Sequence, residues 1–183
     1  MFTLAEYIPI DFLPDAMVKE HGISPINAGS IITMYGGATI AGRLISGVIT
    51  NYFENSAVLY TLICMCVMGN CCIGMAVSTS YWQFMVCACI YGLFVGKMFV
   101  LLPISLVDMF GIESLKDSFG VIMFFSAVST LLGAPMAGWL KVLCGTYDLA
   151  FIVASDCYCM GGIVTFLLLW IQNRKRKQYT SCH

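Results

Sequence analysis

Charge is what this sequence has least of. Nine basic and ten acidic residues serve a chain of 183, and the stretch from Asn55 to Gly96 holds none of them. Ser118 to Leu140 is likewise uncharged, and between Leu149 and Asn173 the only charge is Asp156. A water-soluble domain of this length needs a charged surface that so few ionic groups cannot supply. Histidine is scarce as well, with two residues. No nucleophile stands beside a base, and the spacing shows no metal-ligand cluster and no phosphate-binding loop. An enzyme is therefore not expected, nor any cofactor or metal. The net charge of −1 comes without a basic stripe, so nucleic acid is not an expected partner. Met1–Tyr7 has neither a basic stretch nor a cleavage site, and no signal peptide is expected there.

What the chain does have is apolar length. Sixty per cent of its residues are hydrophobic, and the mean hydropathy is +0.87. A helix needs roughly 20 apolar residues to cross the hydrocarbon of a bilayer. Five full spans fit, at Asn27–Tyr52, Ser56–Ser78, Trp82–Phe110, Ser118–Leu140 and Ala150–Ile171. Thr3–Val18 is apolar but short and carries Glu6, Asp11 and Asp15, so it reads as a partial or shortened span. The expectation is an all-α integral membrane protein in three parts: the partial span (1–18), a five-span helical bundle (19–173) and a basic tail (174–183). The connectors Lys19–Ile26, Phe53–Asn55, Thr79–Tyr81, Gly111–Asp117 and Lys141–Leu149 are brief, which makes neighbouring helices antiparallel.

Positive charge orients the bundle. Arg174, Lys175, Arg176 and Lys177 follow the last span and are expected in the cytoplasm, where they could also meet anionic lipid; Lys19 and Lys141 oppose this weakly. Eight of the ten cysteines (Cys64, Cys66, Cys71, Cys72, Cys87, Cys89, Cys157 and Cys159) lie in apolar runs without CxxC spacing, and read as small hydrophobes. Gly92 and Gly96 form a GxxxG pair, and Gly36, Gly37, Gly42 and Gly47 share the first full span, so close helix contacts are expected. Pro103 and Pro135 stand inside spans and should bend them.

Each charge inside a span is a candidate site, because a charge in hydrocarbon is costly. Arg43 follows Asn27 by 16 residues, about 24 Å along a helix. It can hold a carboxylate through two parallel hydrogen bonds in a wet cavity, or it can snorkel to the interface. Lys97, directly after Gly96, would add a second cation to that cavity or pair with Asp11 or Asp15. Asp156 lies about 9 Å below the outer end of its span and has interfacial solvation as its alternative. Asp11 and Asp15, four residues apart on one helix face, read as solvated, as do Asp108, Glu113, Lys116 and Asp117 at the cytoplasmic loop. His21 falls in an outer loop and His183 is terminal.

Several stretches resemble the monocarboxylate transporter family of the major facilitator superfamily. Gly42-Arg43-Leu44-Ile45-Ser46-Gly47 matches the eighth-span pattern Gly-Arg-x-x-x-Gly, and Tyr91-Gly92-Leu93-Phe94-Val95-Gly96 resembles the start of the tenth-span motif. Leu106-Val107-Asp108-Met109-Phe110-Gly111 with Ser118-Phe119-Gly120 resembles the loop into the eleventh span. Gly133-Ala134-Pro135-Met136-Ala137-Gly138-Trp139-Leu140 resembles Gly-Pro-Pro-x-x-Gly-Trp-Leu, with Ala134 in place of the first proline, and Gly145-Thr146-Tyr147-Asp148 resembles the outer turn that follows. Their order and spacing agree across nearly the whole chain.

The resemblance implies the second half of a twelve-span bundle, with five full spans plus a partial one, and a substrate path between the two halves. It implies that Arg43 helps bind a substrate carboxylate. Proton-coupled members carry an aspartate four residues earlier; here Thr39 stands there, on the same face as Arg43, so coupling by that pair is in doubt. Lys97 has no counterpart in the pattern and rests on burial alone. The expected substrate-binding residues are Arg43, Thr39 and Lys97, for a small organic anion or related solute moved by alternating access. Expected partners are the missing N-terminal half or a second copy of the chain, membrane lipid, and the single-span ancillary glycoprotein that some members use. The plasma membrane is the expected location, and symport is compatible with the pattern. The alternative is a truncated, non-transporting fragment with a structural or regulatory role. A receptor-like or tetraspan scaffold would need larger outer loops than these, with Cys144 alone in one.

Overall fold

The computed structural model describes residues 2–19, 22–52, 57–144 and 148–181. His21, His183, the connector at Phe53–Asn55 and the turn residues Gly145, Thr146 and Tyr147 lie outside these. So do the side chains of Asp11, Asp108, Lys141, Cys144 and the Arg174–Lys177 cluster. Six helices follow one another: α1 (Phe2–Lys19), α2 (Pro25–Tyr52), α3 (Ala57–Val77), α4 (Tyr81–Phe110), α5 (Leu115–Cys144) and α6 (Asp148–Ser181). Five of them, α2 to α6, are long and apolar enough to cross a membrane. α2 and α4 begin at one end of the bundle, where Ser30 meets Tyr81, and α3 runs against α4, Thr61 near its start meeting Ser105 near the end of α4.

The helix ends follow local chemistry. At α4 the side-chain Oε1 of Gln83 accepts hydrogen bonds from the backbone N–H groups of Thr79 (3.1 Å) and Ser80 (3.2 Å), two donors that no helical carbonyl can reach. Gln83→Ala is expected to cost about 1 kcal/mol, read as a lower unfolding midpoint in detergent with unchanged helicity at low temperature. At the other extreme, α6 does not stop at Ile171, where the apolar run ends, but continues to Ser181. The segment Gln172–Gln178 contains no glycine or proline and is dominated by lysine, arginine and glutamine, which favour helix. The helix therefore outlasts the apolar pattern.

Prolines interrupt the backbone ladders without ending the helices. Pro103 lies within α4 and Pro135 within α5, at the expected places; α1 holds two more, Pro9 and Pro14. Each removes one N–H donor, so the carbonyls of Ala5, Ile10, Phe99 and Leu131 lose their usual partners four residues on.

The core gathers around Phe84, Tyr91, Phe151 and Tyr158, with Met17, Met68 and Met75 filling the gaps between helices. The strongest pairings are α2 with α4, α3 with α6 and α3 with α4, while α1 packs chiefly on α5 and α6. Hydroxyl pairs cross these seams: Ser30 with Tyr81 (2.9 Å), Thr61 with Ser105 (3.3 Å) and Tyr91 with Tyr158 (2.7 Å). Long apolar faces remain outside the core, on α2 and α5 among others. On α2, Ile32, Ile40, Leu44 and Val48 are exposed, and on α5, Phe124, Phe125, Leu131 and Trp139 are.

Candidate functional site

Two glycines decide where Arg43 stands. A Cβ on Gly42 would collide with the backbone carbonyl of Leu93, and one on Gly96 with the carbonyl of Thr39 while touching the backbone N of Arg43. Gly92 adds to the seam, since its Cβ would lie 2.7 Å from the carbonyl oxygen of Tyr35. With no side chains at these points, α2 and α4 meet backbone to backbone. The crossing therefore clamps the main chain of Arg43 against α4. Its guanidinium leaves the seam and rests over the Phe99 ring, 5.0 Å from the ring centre, on an exposed face of α2. Eighteen residues separate it from Pro25, about 27 Å of helix. Among the described residues no carboxylate forms an ion pair with it.

Thr39 and Lys97 take different positions. Thr39 is buried in the seam, and its Oγ1 donates to the Tyr35 carbonyl at 2.9 Å, so its hydroxyl is turned back onto its own helix. Lys97 is half-buried, its ammonium 4.6 Å from the centre of the Phe94 ring. Phe94 and Phe99 are five residues apart, about 140° around α4 at 3.6 residues per turn. The two cations therefore lie against different sides of α4. Asp15 forms its ion pair with Lys19, at 2.6 Å on an exposed surface. Asp156 is exposed on α6.

One buried acid stands out that the spacing of charges did not. Glu6, on α1, is 3% exposed, and its Oε2 has no hydrogen-bond partner among the described residues. The Tyr91 hydroxyl donates to the Glu6 backbone carbonyl at 3.3 Å and also meets the Tyr158 hydroxyl. Tyr35 stacks on Tyr91, with ring centres 6.1 Å apart. Tyr35, Tyr91 and Tyr158 each follow the start of their helix by ten residues, about 15 Å, which is the middle of a bilayer about 30 Å thick. A narrow apolar crevice lined by Pro9, Leu13, Ile32, Tyr35, Met75 and Tyr91 runs alongside. A polar knot thus sits at mid-depth, with Glu6 at its edge.

A multi-pass helical bundle, with a glycine seam clamping the backbone of one arginine and a buried acid beside a tyrosine cluster, belongs to the class of polytopic membrane proteins. The sequence comparisons narrow this class. Residues 1–181 match the Major Facilitator Superfamily, and the chain belongs to that superfamily, within the monocarboxylate transporter family. It is 31% identical over 140 residues to monocarboxylate transporter 9 of Gallus gallus, covering 76% of this chain and 27% of that protein. Against the Rattus norvegicus protein of the same name it is 26% identical over 172 residues, 92% of this chain and 33% of the relative. Against monocarboxylate transporter 12 of Xenopus laevis it is 28% identical over 136 residues, 73% of this chain and 30% of the relative. The chain thus spans about a quarter to a third of the length of the curated relatives it matches.

Proposed function

We propose that this chain forms the C-terminal half of a carrier for monocarboxylate-like organic anions or related small solutes. The observation that carries this reading is Arg43: a permanent cation whose backbone a glycine seam fixes within the span, with its guanidinium turned to an exposed face. Arginine offers a carboxylate two parallel hydrogen bonds, and its charge does not depend on a proton. Lys97 adds positive potential from the other side of α4, and Thr39 fills the seam behind Arg43. Transport then proceeds by alternating access, one half rocking against the other around a site between them.

The apolar faces of α2 and α5 support an incomplete bundle, because each is an exposed surface of the kind an N-terminal half or a second copy would cover. Orientation follows the basic cluster after Ile171, with the Lys19–Ile26 connector outside and Arg174–Lys177 in the cytoplasm near anionic lipid. The plasma membrane and a single-span ancillary glycoprotein complete the proposal. The same exposed faces favour a second reading, a non-transporting fragment with a structural or regulatory role.

Co-expression separates the two readings. The chain is produced with and without an N-terminal half from a monocarboxylate transporter, and carboxylate uptake and copurification are measured. Uptake only with the added half, together with copurification, supports the carrier reading. Copurification without uptake defeats it and favours the fragment.

A further inference from the structure

We propose that Glu6 is a proton-binding site of the bundle, releasing its proton when the helices part and taking it up again when they close. A carboxylate removed from water costs several kcal/mol unless it is paired and fully hydrogen-bonded. Glu6 is removed from water, and its Oε2 lacks a partner among the described residues. A carboxylic acid avoids that cost by keeping its proton. Opening the bundle admits water, and the O–H bond then breaks: the electron pair stays on the carboxylate and the proton passes to a water molecule. Closure reverses the transfer from water; where release and uptake face opposite sides of the membrane, each conformational cycle moves one proton.

The neighbours are suited to this exchange. From α2 come Arg43, whose field reaches the Glu6 carboxyl, and Tyr35, stacked on Tyr91. From α4 comes Tyr91, and from α6 Tyr158, both electrostatically linked to Glu6; Cys72 of α3 is linked to the two tyrosines. The charged side chains described on α5 are Lys116 and Asp117, both exposed in its first turn. On α1 itself Asp15 is paired with Lys19. Arg43 is thus the cation placed to stabilise Glu6 once it ionises. A carboxylate drawn to the guanidinium would compete for it, which ties the proton on Glu6 to the anion on Arg43.

Coupling to transport rests on the carrier reading, but proton binding does not, so two measurements are needed. The first is infrared spectroscopy of the full chain in lipid at neutral pH. The expected result is a protonated-carboxyl carbonyl band that disappears in Glu6→Gln and persists at a displaced frequency in Glu6→Asp. A neutral-pH spectrum that Glu6→Gln leaves unchanged, in protein of normal helicity, overturns the proposal. The second uses the co-expressed carrier. Glu6→Gln should flatten the pH profile, bringing the ratio of uptake in mildly acid to mildly alkaline buffer to about one. A purely structural effect would scale uptake equally at every pH, and that outcome overturns the coupling.

Discussion

Arg43→Ala is expected to lower carboxylate uptake by at least about 100-fold in the completed carrier, with insertion and helicity retained. Two charge-assisted hydrogen bonds to the anion, each contributing roughly 1.5 kcal/mol or more, set that size, since about 1.4 kcal/mol corresponds to tenfold. The guanidinium lies on an exposed face over the Phe99 ring, so its removal opens no cavity in the core. Arg43→Lys sharpens the test. It keeps the charge but loses the planar fork, and should recover only part of the uptake. Radiolabelled uptake with surface quantification reads both variants. Uptake in Arg43→Ala within about threefold of the parent would sink the proposed role.

Gly96→Val is expected to be as severe by another route. The atoms facing Gly96 are the backbone carbonyl of Thr39 and the backbone N of Arg43, neither of which can rotate aside. A β-branched side chain there must push α2 away from α4, in an interior that relaxes poorly. The expected cost is about 3 kcal/mol or more, seen as loss of the monodisperse peak in detergent chromatography. Gly47→Val is the control, because a Cβ at Gly47 meets nothing within 4 Å. Equal behaviour of the two variants would show that the seam does not set the packing.

The spans were legible because hydropathy over about 20 residues is a property of the chain alone. Five predicted spans and the short one became five long helices and α1. The facing of residues was less legible. Thr39 and Arg43 are four residues apart, about 40° around a helix, and share a face by spacing. That small angle is enough to bury one in the seam while the other escapes it. Glu6 was visible as one of three acids in a short apolar stretch. Nothing in the spacing separated it from Asp15, which lies nearer the helix end and pairs with Lys19. The difference is made by Tyr91, some 85 residues away in sequence, and such contacts exist only once helices assemble. The course of α6 beyond Ile171 was missed for a plainer reason: an apolar pattern marks where the hydrocarbon ends, not where the helix does.

The hydroxyl pairs across the seams have a mechanical consequence. Ser30–Tyr81 ties α2 to α4, Thr61–Ser105 ties α3 to α4, and Tyr91–Tyr158 ties α4 to α6. Four helices are thereby riveted into one stiff chassis. α1 meets it where the Tyr91 hydroxyl donates a long hydrogen bond to the Glu6 carbonyl, and two of its ladder rungs are removed by Pro9 and Pro14. Under load, the compliant panel is α1, and backbone amides of its Pro9–Pro14 stretch should exchange deuterium sooner than those in the middle of α4.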